Sequence, residues 1–117
     1  MNSTNLTTQK LDRVIVAAIS GGIDGVTSTE LQKKLMALLI EDKKPLILDF
    51  KAVNYISSAG MRMLLLISKC SKDLNTVVCL INVSTQVEEF LEMAGFLAFL
   101  KKFKDLETAM LRLEKSS

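Results

Sequence analysis

The sequence predicts a single α/β domain with a mixed, largely parallel sheet and about four helices, and three observations lead there. Apolar runs rich in β-branched residues alternate with stretches of helical periodicity along the chain. Only the first two runs follow one another directly, through Gln9-Lys10-Leu11-Asp12, so one antiparallel hairpin opens an otherwise alternating order. A length of 117 residues, 49% hydrophobic and 24% charged, suits one buried core and leaves no room for two. The expected order is β-β-α-β-α-β-α-β-α, with right-handed crossovers between parallel strands.

Residues 3–8 and 13–19 read as the opening strands, the second carrying Val14, Ile15, Val16 and Ile19. Gly21-Gly22-Ile23-Asp24-Gly25 reads as a loop. Thr27 and Glu30 then stand at capping-box spacing, and Leu31, Leu35, Leu38 and Leu39 continue one apolar face, which predicts a helix from about 28 to 41. Pro45 blocks its continuation. Pro45–Phe50 reads as a buried strand, Met61–Ile67 as a buried helix and Thr76–Ile81 as another buried strand. Ser84 is placed to cap a helix with Val87, Phe90, Leu91 and Ala94 on one face, and Gly95 to end it. Residues 97–100 form a last short strand in this reading. Asp105 caps a final helix with Leu106, Ala109, Met110 and Leu113 inward.

Composition closes off several function classes. A net charge of +2, with Lys33-Lys34, Lys43-Lys44 and Lys101-Lys102 in separate segments and a single Tyr, does not make a nucleic-acid surface. The chain has no histidine, which removes Ser-His-Asp hydrolysis, Cys-His catalysis and histidine metal sites. No glycine-rich phosphate loop and no GxGxxG follows a strand, so neither a cofactor nor a resident metal is expected. Cys70 and Cys79 fit neither a CxxC motif nor a zinc pattern and read as reduced, buried thiols of a cytoplasmic protein. The polar start Met1-Asn2-Ser3-Thr4-Asn5 is unlike a signal peptide, and no apolar run approaches the roughly 18 residues of a membrane span.

The segment that most needs a reason is Tyr55-Ile56-Ser57-Ser58-Ala59-Gly60-Met61. It sets two hydroxyls between a buried strand and a buried helix, at a helix N-terminus that favours negative charge. Ser58, Arg62 and Lys69 fall on one side of that helix, and Arg62, expected in the first turn, faces the positive end of the dipole. Residue chemistry leaves two readings open. Ser57 or Ser58 is a plain N-cap, or one of them accepts a phosphate; capping and holding a phosphate are compatible at this position. A nucleophilic serine is disfavoured, because the motif is SSAG and no histidine base exists.

Val53–Arg62, preceded by Leu46-Ile47-Leu48-Asp49, resembles the signature of STAS domains, most of all the bacterial anti-sigma factor antagonists. Gly22-Ile23-Asp24 is similar to the loop of that family, and Phe90–Phe96 to its third helix and exit. The resemblance runs from about residue 3 to residue 114 and treats residues 1–117 as one domain. It implies a partner-switching regulator and no enzyme. The unphosphorylated form would bind an anti-sigma factor that is also a serine kinase, a GHKL-type ATPase, and so free the sigma factor. Phosphorylation would release the antagonist and a serine phosphatase would restore it.

By register the acceptor falls on Ser58, with Ser57 as second choice because many members carry Asp there. The implied partner face is Gly22, Asp24, Ser57, Ser58, Ala59, Gly60, Met61 and Arg62. The resemblance implies no nucleic acid and no membrane insertion, and a monomer or weak dimer. The alternative within the same family is a constitutive scaffold subunit of a stressosome-like complex or of a lipid-transport ATPase.

Overall fold

The computed structural model describes residues 5–115. Five strands form one sheet in the order β1-β2-β3-β4-β5: Asn5–Lys10, Ile15–Ile23, Leu46–Ile56, Val78–Ile81 and Lys101–Phe103. β1 is antiparallel to β2, and every other neighbouring pair is parallel. The helices are α1 (Gly25–Asp42), α2 (Ser58–Asp73), α3 (Thr85–Met93) and α4 (Leu106–Lys115). The mixed sheet and the helix order are those expected from the alternation of patterns.

Because β2 to β5 step steadily in one direction, right-handed crossovers put each connecting helix on the same face. The cores agree. Leu31, Leu35 and Leu39 of α1, Met63, Leu64 and Ile67 of α2, and Val87 and Leu91 of α3 share one buried cluster with Ile15, Leu48 and Phe50. On the other face α4 lays Leu106, Ala109, Met110 and Leu113 over Val14, Val16, Ile47, Cys79 and Ile81. Burial pushes the Cys79 thiol up to about 12, so it stays protonated, while Cys70 is only half-buried. Among the described residues no helix is long and apolar enough to cross a membrane.

Several boundaries differ from the sequence expectation for physical reasons. Ser3 and Thr4 of the first predicted strand lie outside the described residues. Gly21-Gly22-Ile23 is not a loop. β2 runs on through it, pairing with Val53, Tyr55 and Ile56 across register shifts, and Gly21 supplies the positive φ of 97° there. α1 begins at Gly25 rather than about 28, because Asp24, three residues before the predicted Thr27, caps it and Thr27 is the returning member of the box. The expected strand at 97–100 is wrong in place. Gly95, at φ 76°, ends α3, and Phe96–Ala98 then forms a 3₁₀ turn closed by Phe99 N–H donating to Phe96 O at 3.0 Å. The last strand is the polar Lys101–Phe103, which an edge position permits.

Candidate functional site: paired helix starts at the strand ends

The C-terminal ends of β2 and β3 lie side by side, with Gly22 opposite Tyr55 and Ile23 opposite Ile56. The Ser57 N–H donates to Ile23 O at 2.8 Å, which ties the start of α2 to the last residue of β2. Two segments more than thirty residues apart in sequence thus form one surface, with Asp24 beginning one helix and Ser57 the other.

At the start of α1 the Asp24 carboxylate accepts from the N–H groups of Val26 and Thr27, both at 2.9 Å. The Thr27 hydroxyl in turn accepts from the Asp24 N–H at 2.8 Å. The Thr27 backbone and then its hydroxyl hold the Asp24 carboxyl below its ordinary value, against a small opposing effect of burial. Asp24 is exposed and ionised, and it is the Oδ1 oxygen of its carboxylate that the helix start engages.

At the start of α2 the two hydroxyls separate. Ser57, extended at φ −89° and ψ 173°, is the N-cap and accepts from the Gly60 N–H at 3.1 Å. Ser58 is the first helical residue, exposed, and its hydroxyl makes no hydrogen bond among the described residues. The first turn of α2 contains no acidic side chain. Arg62 is the fifth residue of α2, one turn further along than expected, where the dipole is already weak. It shares the solvent face with Ser58 and Lys69, as the spacing predicts, and Leu66 of that face is 39% exposed.

Gly60 and Met61 are buried, and Ala59 is partly so. A Cβ on Gly60 would stand 2.7 Å from Ile56 Cγ1 and 2.8 Å from Ile23 Cγ2. The glycine therefore lets the first turn of α2 sit directly on both strand ends and hold Ser58 outward. Gly22 is different: a Cβ there would meet Tyr55 at an ordinary 3.5 Å. Of the expected partner face, Gly22, Asp24, Ser57, Ser58 and Arg62 reach the surface, and Gly60 and Met61 shape it from below.

One feature of this end was missed. Phe90, expected inward with Val87 and Leu91, is 46% exposed, and Tyr55 is 51% exposed. With Asn54, Ile56, Gln86 and Val87 they line an apolar hollow of about 230 Å³ beside the turn. Helical spacing alone gives no signal for it, since Phe90 continues the apolar stripe of α3. Among the described residues no group of carboxylates and thiols is arranged to hold a metal.

Comparison with known proteins points one way. The sequence pattern of the STAS domain family matches residues 5–109. BtrV of Bordetella bronchiseptica, assigned as a candidate anti-sigma factor antagonist, is 29% identical over 104 residues, 89% of this chain and 90% of its own. An anti-sigma factor antagonist from Mycobacterium paratuberculosis superposes with a TM-score of 0.82 at 21% identity, covering 96% of this chain and 95% of the other. The antagonist SpoIIAA in its unphosphorylated form gives 0.79 at 15% identity, over 95% and 97% of the two chains. The phosphorylated form of Bacillus SpoIIAA gives 0.69 at 15% identity, over 92% and 98%. With its sheet order, its helix starts and nearly all of its length accounted for, this chain belongs to the STAS domain family.

Proposed function

We propose that this protein is an anti-sigma factor antagonist working in the cytoplasm by partner switching. The surface around Ser57-Ser58 and the Gly22–Asp24 segment binds an anti-sigma factor that is also a serine kinase, which frees the sigma factor. The γ-phosphoryl group of ATP then passes to the Ser58 oxygen as its bond to the β–γ bridging oxygen breaks, ADP leaves and the serine proton is lost to solvent, and the kinase is released. A phosphatase restores the hydroxyl. The observation that carries this reading is the division of labour between the serines: Ser57 is committed to the cap, and Ser58 stands outward with its hydroxyl unengaged. The relatives named as antagonists, and the existence of SpoIIAA in two phosphorylation states, support it.

The physics of the switch is local. A phosphate on Ser58 adds about −1.5 to −2 charges at the positive end of α2, where it can be held without refolding the domain. On a partner face such a dianion need oppose docking by only about 2.7 kcal/mol to weaken binding roughly a hundredfold.

The test is affinity capture from the source cell, followed by incubation of the captured complex with ATP. Wild type and Ser58→Ala should both retain an anti-sigma kinase, and Ser58→Asp should retain much less. Mass spectrometry should find one phosphate on the wild type and none on Ser58→Ala. Undiminished labelling of Ser58→Ala would move the site to Ser57 or elsewhere.

A further inference from the structure

The far edge of the sheet carries a second surface. β5 pairs with β4 alone, so its outer backbone groups face away from the sheet. Along it lies a groove of about 760 Å³ lined by Lys72, Phe99, Lys101, Lys102, Phe103 and Arg112. The cations come from three elements: the last turn of α2, β5 and α4. No acidic side chain lines the groove, although Glu88 of α3 forms an ion pair with Lys102. Phe99 is 60% exposed. The register of β5 puts Lys101 opposite Cys79 and Phe103 opposite Ile81, on the face covered by α4, while Lys102 stands opposite Leu80 on the other.

An exposed edge is a template for another strand, and lysines on it repel a second copy of the same edge. That repulsion is selective. It opposes a basic or identical strand and becomes attraction for an acidic one, which also offers the main-chain partners that β5 lacks. Exposed Phe99 adds an apolar contact at the end of the row. We propose that this groove docks an extended acidic segment of a partner protein. The segment lies along β5 as an added strand, sets the carboxylates of one face against Lys101 on the α4 side, and packs an apolar side chain on Phe99, with Lys72 adding positive potential from the opposite side. Lys72 is fourteen residues along α2 from Ser58, roughly 21 Å at the helical rise, so both surfaces can be occupied together. Since β5 is only three residues long, it offers few main-chain bonds. The ion pairs must therefore carry much of the affinity, and binding should fall steeply with salt.

The experiment titrates the full chain, ¹⁵N-labelled, with a short fluorescent peptide in which glutamate alternates with valine. Comparators are a peptide of the same composition with its glutamates clustered, and a single-stranded oligonucleotide. The alternating peptide should bind best, shift the amides of Lys101–Phe103 and protect them from hydrogen exchange. Lys101→Glu should weaken it by about tenfold at low salt and Lys72→Glu, on the opposite face, by clearly less, and Phe99→Ala should also weaken it. All three sites are exposed, and circular dichroism checks their folding. Equal binding of the clustered peptide or the oligonucleotide, without protection of β5, would overturn the proposal. So would self-association of the chain through this groove. Kinase capture through the Ser58 surface is scored separately, so either result stands without the other.

Discussion

The two helix starts at the strand ends differ in how each meets its own positive pole. α1 has its anion built in: Asp24 caps it, and Thr27 closes the box. α2 is capped by the neutral hydroxyl of Ser57 and has no acidic residue in its first turn. A helix N-terminus attracts negative charge, so α1 is electrostatically satisfied and α2 is not. The neighbouring ends thus divide stability from receptiveness. α1 contributes a fixed charged corner, and α2 an end at which an added anion is accommodated.

Gly60 tests whether the α2 end is as tightly seated as its contacts indicate, and it carries the largest expected effect. Gly60→Ala introduces a Cβ at 2.7 and 2.8 Å from two buried isoleucines, against a helix-propensity gain of up to about 1 kcal/mol. Overpacking of this kind costs about 1–3 kcal/mol, so urea denaturation should show a net loss of stability. Unchanged stability would mean that the turn yields easily and that Ser58 is not rigidly presented.

A smaller contrast separates the two serines. Ser57→Ala removes the acceptor of the Gly60 N–H and should cost about 1 kcal/mol. Ser58→Ala removes an outward hydroxyl and should stay within about 0.5 kcal/mol. Equal losses in thermal or chemical unfolding would erase the distinction between cap and free hydroxyl.

The smallest effect is the acid response of α1. The Asp24 carboxyl is held below the unfolded value of 3.8, so its contribution is complete above that pH. It is lost as the pH falls through the lower folded value. In an NMR titration the Val26 and Thr27 amides should therefore move only below about pH 3.8. In Asp24→Asn that movement should disappear, while the amides at the start of α2 are unaffected in both proteins.

Much of this architecture was legible in the residues. Ser84 and Asp105 cap α3 and α4 as their spacing indicates, accepting from Val87 N–H at 3.2 Å and Thr108 N–H at 2.9 Å. Such caps are local, so three or four residues determine them. The errors arose where a distant strand decided the outcome. Gly21-Gly22-Ile23 reads as a loop until Val53–Ile56 pairs with it. Thr27 reads as a cap until the extension of β2 leaves Asp24 in that place. Phe90 reads as core until α3 is seated with only Val87 and Leu91 inward.

By itself the sequence determined the α/β class, the element order, the absence of imidazole chemistry and the Ser57-Ser58 turn between two buried elements. Those features follow from periodicity and residue type, which act over a few neighbouring positions. Tertiary structure decided which serine caps and which faces outward, and that Gly60 seats α2 on Ile23 and Ile56. It also brought the Asp24 corner beside the turn and gathered Lys72, Lys101 and Arg112 along one edge. Each of these depends on residues far apart in the chain, brought together only when β2 pairs with β3 and β5 joins β4 at the sheet edge.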